Sequence, residues 1–327
     1  MPGDEKWDNI VKSNGFPLLD SSSVPLFDLL GDFRSNLIYI DDIFPPKRQW
    51  YSFLHKFSPA YRIVLNELTS SYKRLLFEFS DSLIFPLNLD STPGSPRFIN
   101  YDSRSLNLRW LRYIWFYNRL LSSSIDTNLL FNGYCLDIGG AYGAFSSLIK
   151  SAFPQSSHII LDFPVQLGLA RYYLGSLFPD AKFFIPPLNE SYVLPCSSEF
   201  DFVLIPTSSF PFLDKFSVTS NISLSTNFLS FGEMPQSIYT NYINHPVWQS
   251  ADYLYNVNCH CSRQLSDGVY DSDFNLLEYL ELTKSFSTIY FGDFRLYNTF
   301  YNSRRLFPRI VPKPNSYFEI LQSRSSS

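Results

Sequence analysis

Residues 134–163 contain the feature that most restricts how this chain folds. A short apolar strand ends in Asp137, a turn rich in glycine follows at residues 139–143, and an apolar helix leads to a second strand that ends in Asp162. Glycine is needed where the backbone turns sharply and where a ligand must approach it closely. Strands joined by a crossover helix belong to parallel sheets, whose ligands lie at the carboxyl ends of the strands. The segment therefore predicts an α/β fold with a ligand site at residues 139–143, here named the glycine turn.

The glycine turn does not follow the dinucleotide-binding pattern Gly-x-Gly-x-x-Gly. Counted from Gly139, the third position is Ala141 and the sixth is Ala144. The helix behind the turn still offers unpaired N–H groups and a partial positive charge, which suit a carboxylate or a phosphate. Asp137 would repel a pyrophosphate, whereas it suits the amino group of a methionine moiety. The turn therefore favours S-adenosylmethionine over NAD as the cofactor.

A second acid closes the next strand of this unit. A carboxylate at the position of Asp162 accepts hydrogen bonds from both hydroxyls of a ribose, and the neighbouring Phe163 can pack on an adenine ring. The alternative is that both acids only cap helices or turns, which fits less well with their place at the ends of consecutive strands. The expected cofactor contacts are Asp137, Gly139, Gly140, Ala141, Tyr142, Gly143, Asp162 and Phe163.

The chain changes character at about residue 130. Residues 1–130 are predicted to be mostly helical, with one helix starting at Ser58-Pro59 and another over 105–121 that includes Leu106. Residues 131–327 are predicted to form the α/β domain, with helices at 144–152 and 165–177. Its predicted strands are 134–138, 158–161, 182–185, 202–205, 222–227, 286–291 and 316–321.

Two points of this strand pattern need comment. The segments 286–291 and 316–321 are expected to pair as a closing hairpin. Either 202–205 or 222–227 can be the fourth parallel strand, and an extra edge strand would account for the long connection between them.

Charge and hydropathy exclude several classes of protein. The 26 basic and 30 acidic side chains give a net charge of −4 without a long basic run, so we expect no nucleic-acid partner. Residues 1–12 lack the apolar core of a signal peptide, and no run approaches the ~20 apolar residues of a membrane helix. We therefore expect a soluble, cytoplasmic protein without a membrane span.

No metal site is predicted. Cys259-His260-Cys261 has a gap too short for the usual zinc knuckle, and no second cysteine pair accompanies it. Asp267, Asp271 and Asp273 lie beside a glycine and a serine and are typical of a solvated turn.

Several motifs of the α/β region resemble those of the sugar O-methyltransferases, bacterial-type enzymes associated with surface polysaccharide synthesis. The resemblance covers residues 105–320, and its most specific part is the Ser-Phe-Gly-Glu-Met segment at 230–234. The chain has Ala141 where the family often has glycine and Phe163 where it often has leucine. The matching motifs are Asp137-Ile138-Gly139-Gly140-Ala141-Tyr142-Gly143, Leu161-Asp162-Phe163-Pro164, Ala170-Arg171-Tyr172-Tyr173-Leu174 and Asn227-Phe228-Leu229-Ser230-Phe231-Gly232-Glu233-Met234.

The resemblance implies a Rossmann-like class I methyltransferase sheet with helices on both faces, and a hydroxyl of a sugar, nucleotide sugar or glycan as the methyl acceptor. A hydroxyl is a weak nucleophile, so a base that takes its proton would assist the transfer. Glu233 is the first candidate base, although an acid also suits the first turn of a helix. His245 is the second candidate, although a lone histidine is often structural. Asn227 and Ser230 are expected to orient the acceptor by hydrogen bonds.

Other questions stay open at this point. Tyr253, Tyr255 and Trp248 can stack on a sugar ring or fill the core. Residues 1–130 can cover the cofactor, shape the acceptor pocket or form a homodimer contact. The chain can also be a methyltransferase for a non-sugar small molecule, or a cofactor-binding protein without turnover.

Overall fold

The structure is a computed structural model that describes residues 59–94, 96, 98–128, 132–187, 190–216, 221–260, 274–296 and 317–325. The predictions made for residues 1–12, Ser58, Cys261, Asp267, Asp271 and Asp273 lie outside these residues. The described residues form two compact units, one of 123–294 with 317–325 and the other of 59–122 with 295–296. Within them no helix is long and apolar enough to cross a membrane, and no group of His, Cys, Asp and Glu could hold a metal ion.

The smaller unit contains two helices that pack through aromatic side chains. Helix α1 (Pro59–Phe79) begins at the predicted proline, and helix α2 (Leu108–Ser122) confirms the helix predicted over 105–121. Their rings meet edge to face at Phe79 and Trp115, whose centroids are 5.2 Å apart.

A β-hairpin in the smaller unit was not predicted. Strands β1 (Ile99–Tyr101) and β2 (Arg104–Leu106) are joined by Asp102 and Ser103, which have φ values of 49° and 59°. Two-residue turns with positive φ usually contain glycine, and its absence here concealed the hairpin in the sequence. The assignment of Leu106 to helix α2 is therefore wrong, because this residue ends β2.

The larger unit is built on a mostly parallel sheet. Its strands in chain order are β3 (Tyr134–Ile138), β4 (Ser157–Asp162), β5 (Phe183–Phe184), β7 (Phe202–Pro206), β9 (Ile222–Phe228), β10 (Tyr253–Cys259), β11 (Phe286–Asp293) and β12 (Tyr317–Arg324), while β6 (Tyr192–Leu194) and β8 (Leu213–Phe216) form a separate pair. The order across the sheet is β5-β7-β4-β3-β9-β10-β12-β11, and β12 runs in the direction opposite to that of the other seven strands. This order confirms the predicted α/β fold and the predicted closing hairpin.

Helices cover both faces of this sheet. The helices are α3 (Ala144–Ala152), α4 (Pro164–Leu177), α5 (Gln236–Asn244), α6 (Pro246–Gln249) and α7 (Leu276–Leu282). Ile159 of β4 belongs to a core that includes Tyr239 of α5, Trp248 of α6 and Tyr279 of α7. The next residue, Ile160, points to the opposite face, on the side of α3 and α4. The helices predicted at 144–152 and 165–177 are confirmed.

Both segments left open as the fourth parallel strand belong to the sheet. Strand β7 follows β5 in the chain, whereas β9 pairs directly with β3. Strand β7 lies on the other side of β3, inserted between β4 and β5, where Phe202 is in register with both His158 and Phe183. The long connection between β7 and β9 contains strand β8, which pairs with β6 outside this sheet, so it adds no edge strand here. The two-residue strand β5 forms the edge next to β7.

Two of the aromatic residues considered for sugar stacking fill the core. Trp248 and Tyr255 are fully buried. Trp248 packs against Phe231 with ring centroids 5.3 Å apart, and the Tyr255 hydroxyl donates to buried Glu319 at 2.5 Å. The core interpretation therefore holds for both.

Candidate functional site

The glycine turn reverses the chain at the carboxyl end of β3. Gly139 has a φ of 73°, and its N–H donates to the Leu161 carbonyl of β4 at 2.8 Å. Gly143 has a φ of 81° and immediately precedes helix α3. Ala141 also takes the left-handed conformation, with a φ of 51°, which costs an L-residue about 1–2 kcal/mol. The turn therefore brings the start of α3, with its unpaired N–H groups, to the carboxyl edge of the sheet.

Asp162 connects the end of β4 to the glycine turn. Its Oδ2 accepts the Ala141 N–H and its Oδ1 accepts the Phe163 N–H, both at 2.7 Å. Each oxygen keeps a second lone pair that a ligand hydroxyl can use. Burial raises the pKa of Asp162 to about 6, the two N–H groups oppose this shift, and the charge of Glu233 adds to it. The Asp162 carboxylate can therefore accept hydrogen bonds from the hydroxyls of a ribose.

Asp137 stands beside the glycine turn at the end of β3. Thr226 of β9 donates from Oγ1 to Asp137 Oδ1 at 2.8 Å, and the carboxylate is only 4% exposed. Burial raises the pKa of Asp137 to about 7, the Thr226 bond opposes this shift, and the charge of Asp162 adds to it. A Cβ on Gly140 would lie 2.8 Å from Oδ2, so only glycine leaves room for this carboxylate. A cation placed here would stabilise the ionised form.

The other aromatic candidates have different environments. The Tyr142 side chain is fully buried and packs edge to face on Tyr173, with ring centroids 5.0 Å apart. Tyr142 is therefore part of the core, and its contact with the cofactor stays a prediction. Phe163 is half-buried at the start of α4, next to Asp162.

Asn227 links the glycine turn to the turn that follows β9. We name residues 230–233, which contain Glu233, the acid turn. Asn227 Nδ2 donates to the Ile138 carbonyl at 2.8 Å and to Ser230 Oγ at 2.5 Å, while its Oδ1 accepts the Phe231 N–H at 3.0 Å and Asn258 Nδ2 at 2.8 Å. These bonds use the full capacity of a fully buried amide. Asn227 therefore holds the two turns in place, and its side chain has no hydrogen bond left for the methyl acceptor that it was expected to orient.

Ser230 takes part in the same support. Its Oγ donates to the Ile138 carbonyl at 3.1 Å, and the residue is half-buried. The space that a Cβ on Gly139 would fill is occupied by the Ser230 hydroxyl. The close approach of the two turns thus depends on glycine at position 139.

Glu233 lies in a 3-10 turn (Phe231–Glu233) and is exposed. Helix α5 begins only at Gln236, after Pro235, so Glu233 is not in the first turn of that helix. Its charge contributes to the raised pKa of Asp162, so the two carboxylates lie within electrostatic range of each other. Its role as a base stays a prediction.

His245 caps helix α6. Its Nδ1 accepts the Val247 N–H at 3.2 Å, and its ring packs on Phe210 with centroids 4.4 Å apart. Burial lowers the pKa of His245, so the ring is neutral at pH 7. This contact set accounts for the histidine without catalysis, and its role as a base also stays a prediction.

Sequence reasoning missed two supporting residues, Thr226 and Asn258. The signal for Thr226 was the density of polar residues in a strand that neighbours β3, where four of the five residues from Ser223 to Asn227 are polar. Asn256-Val257-Asn258 is a similar signal in β10. Polar side chains in a strand buried on both faces must find hydrogen-bond partners, so such a run indicates a buried polar network.

No protein-family profile and no curated protein sequence matches this chain. It is similar to the solved structures of the N-methyltransferase NodS from Bradyrhizobium japonicum WM9 (10% identity, 67% of this chain and 97% of that chain, TM-score 0.41) and of magnesium protoporphyrin IX methyltransferase from Synechocystis PCC 6803 with bound SAH (13%, 67% and 84%, 0.40). It is also similar to the pyocyanin biosynthetic protein PhzM (14%, 64% and 57%, 0.35). The chain thus spans little more than half the length of PhzM.

Replacing Gly139 by alanine should destabilise the protein and the site together. The residue would be held at a φ of 73°, and its Cβ would overlap the Ser230 side chain. We expect a loss of about 1–3 kcal/mol, seen as a melting temperature lower by about 2–10 °C. Gly175→Ala is the matched control, because a Cβ there would meet only ordinary contacts at 3.9 Å inside helix α4. An equal effect of both substitutions would contradict this account.

Proposed function

We propose that this chain is an S-adenosylmethionine-dependent methyltransferase whose catalytic domain comprises residues 131–327. The observation that carries the proposal is the pair of buried carboxylates, Asp137 and Asp162, at the ends of adjacent parallel strands on either side of the glycine turn. Dinucleotide sites direct backbone N–H groups at a pyrophosphate, beside which Asp137 would be repulsive. A cofactor with a cationic methionine part and a ribose suits both acids.

The residues of the site fit this cofactor group by group. Asp137 is buried, with an elevated pKa, and meets the side of the turn where Gly140 leaves space for its carboxylate. An ammonium group bound there would offset the cost of burying the charge. Asp162 has a lone pair on each oxygen for the ribose hydroxyls. Phe163, beside it, offers an aromatic surface for the adenine.

Bound S-adenosylmethionine supplies a methyl group that is already activated for transfer. The protein's own task is then to align the acceptor and to take up its proton. The acid turn places Glu233 at the carboxyl edge, where its exposed carboxylate accepts the proton of the acceptor hydroxyl. Asn227 and Ser230 hold this turn in place by hydrogen bonds. They therefore influence the methyl acceptor indirectly, through the position of the turn.

We further propose that the acceptor is a sugar hydroxyl, in a nucleotide sugar or a glycan of surface polysaccharide synthesis. Support for the sugar comes from the resemblance carried by the motif that ends in Met234. The buried carboxylates argue for the cofactor alone, so the two parts of the proposal are tested separately.

S-adenosylhomocysteine should raise the melting temperature of the protein, while NAD should leave it unchanged. A ligand present at 100 times its Kd stabilises a protein by about 2.7 kcal/mol, which for a chain of this size is a shift of about 5–10 °C. The measurement is a thermal denaturation series with each ligand at matched concentration. A shift with NAD alone would sink the proposal.

The acceptor class follows from a second assay with intact protein. Formation of S-adenosylhomocysteine from S-adenosylmethionine is measured with a panel of nucleotide sugars, free sugars and phenolic small molecules. Turnover on a member of the sugar set supports the sugar proposal, and turnover on phenols alone overturns it. Binding without turnover on any acceptor indicates a cofactor-binding protein.

A further inference from the structure

Asn258, near the carboxyl end of β10, supports the acid turn with a fully buried side chain. Its Oδ1 accepts the Gly232 N–H at 2.9 Å, and its Nδ2 donates to Asn227 Oδ1 at 2.8 Å and to Asn256 Oδ1. The Gly232 N–H can bond only to an oxygen, which fixes the orientation of the amide. Each polar atom of the Asn258 side chain is thus used in one defined arrangement.

The acid turn meets β10 at Gly232, and the residue that leads into the turn, Leu229, is also bonded to this strand. A Cβ on Gly232 would lie 2.7 Å from Cys259 Sγ and 3.3 Å from Asn258 Oδ1, so the backbone approaches the strand more closely than a side chain would allow. Leu229, which leads into the turn, has a φ of 70° and donates its N–H to the Val257 carbonyl at 2.7 Å. A leucine keeps this conformation only where the surroundings impose it. The turn is therefore a fixed element of the fold.

The second amide, Asn227, extends this support to the cofactor side. Its Nδ2 holds the Ile138 carbonyl, directly before the glycine turn, and its Oδ1 receives both the Phe231 N–H and Asn258 Nδ2. A chain of two buried amides therefore connects β10, the acid turn and the glycine turn. Buried amides with all their bonds satisfied resist displacement, because breaking one bond leaves an unpaired polar group.

We propose that Asn258 is a positioning residue for methyl transfer, which holds the acid turn in place beside the glycine turn. The inference rests on the proposed function and on Glu233 as the base. Asn258 acts through Glu233: it sets where the carboxylate stands and takes no part in the proton transfer. Since a misplacement of about 1 Å can cost roughly 10²-fold in rate, a loosened acid turn should slow catalysis more than binding.

The first test compares Asn258→Ala with Glu233→Gln. Using the acceptor found in the panel, we expect Asn258→Ala to lower kcat by about 10- to 100-fold while the Kd for S-adenosylhomocysteine changes by less than about 3-fold. In the Glu233→Gln background, Asn258→Ala should lower kcat no further, because the group it positions is already inactive. A multiplicative loss in the double variant would overturn the proposal.

Asn258→Asp serves as the conservative variant. Its carboxyl group keeps an acceptor for the Gly232 N–H and, when protonated, regains one donor toward Asn227. We therefore expect its kcat, relative to that of the unmodified protein, to recover as the pH is lowered, measured at a temperature where the variant is folded throughout so that the recovery does not reflect refolding. A ratio of the two kcat values that does not change with pH would contradict the positioning role.

A measurement that needs no methyl acceptor follows from the effect of the Glu233 charge on Asp162. The Glu233 charge raises the pKa of Asp162, so Glu233→Gln should move the loss of S-adenosylhomocysteine affinity on acidification to lower pH. Asn258→Ala should move it in the same direction, since it lets Glu233 leave its place. The charge of Asp137 also acts within this group and is unchanged in both variants.

Thr283→Val is the matched control for stability. Thr283 is fully buried, donates to the Tyr279 carbonyl at 2.9 Å and accepts Gln322 Nε2 at 3.2 Å, and neither partner belongs to the acid turn. It should lower the melting temperature as Asn258→Ala does but leave kcat unchanged. If both variants have normal kcat, the positioning role is wrong and the proposed function stands. If the unmodified protein neither binds S-adenosylhomocysteine nor transfers a methyl group, both the proposed function and the inference about Asn258 are wrong.

Discussion

Replacing Asp137 by asparagine should make the ligand-free protein more heat-stable at pH 8 and, at the same time, weaken its binding of S-adenosylhomocysteine. The amide has the same shape and can still accept the Thr226 hydroxyl, but it carries no buried charge. We expect a rise in melting temperature on the order of 5 °C. Affinity should fall about 10- to 100-fold, because a hydrogen bond to a charged group contributes about 1.5–3 kcal/mol.

The sign of this effect follows from the pKa values of the two acids. In the folded chain Asp137 has a pKa of about 7 and Asp162 of about 6, both above the ordinary value of 3.8. Between about pH 4 and pH 7 the folded state therefore holds protons that the unfolded state has released. The unfolding free energy must fall as the pH rises through this interval, and the full loss is present above about pH 7. The melting temperature of the ligand-free protein should accordingly be lower at pH 8 than at pH 5.

The Asp137→Asn experiment has a simple control. Asp180, at the exposed end of the connection after α4, should tolerate Asp180→Asn without a change in melting temperature or affinity. The measurements are thermal denaturation of both variants at pH 5 and pH 8 and titration with S-adenosylhomocysteine. If Asp137→Asn binds the ligand normally, the carboxylate does not receive the ammonium group, and the orientation proposed for the cofactor is wrong.

The part of the site that could be predicted from the sequence is the part that local constraints determine. Gly139 and Gly143 adopt the positive φ values that the turn needs, and Gly140 leaves the space that Asp137 occupies. Asp162 closes its strand as expected. These features depend on residues that are close together along the chain, so they can be predicted from the sequence.

What could not be predicted depends on contacts between distant segments. The insertion of β7 between β4 and β5 is a choice of partner that hydrophobic pattern alone does not make. The supporting role of Asn227 required knowledge that Asn258, from a separate strand, lies 2.8 Å away. The motif identified Asn227 as important, but only the structure shows that its bonding capacity is used inside the protein.

The glycine turn and the acid turn are held by different sets of strands. The glycine turn and its carboxylates are set by β3, β4 and β9, whereas the acid turn is set by β9 and β10. In the proposed function, cofactor binding and acceptor activation therefore depend on overlapping but different strands. A substitution in β10 should affect turnover with little effect on the cofactor, while one in β4 should do the reverse.

Replacing Glu233 by glutamine should lower turnover by roughly 10²-fold or more and leave the affinity for S-adenosylhomocysteine nearly unchanged. Glutamine keeps the size and most hydrogen bonds of the side chain but cannot take a proton from the acceptor. Because Glu233 is exposed on a 3-10 turn and not in the first turn of α5, its removal should cost little stability. The measurements are kcat and KM on the acceptor from the panel, with ligand titration and thermal denaturation alongside.

The control for Glu233 is another exposed acid. Glu281, in the last turn of helix α7, pairs with Lys284 just beyond the helix at 2.6 Å, and Glu281→Gln should leave turnover unchanged. Normal turnover in Glu233→Gln would transfer the role to His245. The deciding variant is then His245→Asn, because asparagine can still cap α6 by accepting the Val247 N–H but has no imidazole to act as a base. A loss of kcat in His245→Asn with a normal Glu233→Gln would identify the histidine as the base, whereas the reverse pattern would assign proton transfer to Glu233 and leave His245 as a cap.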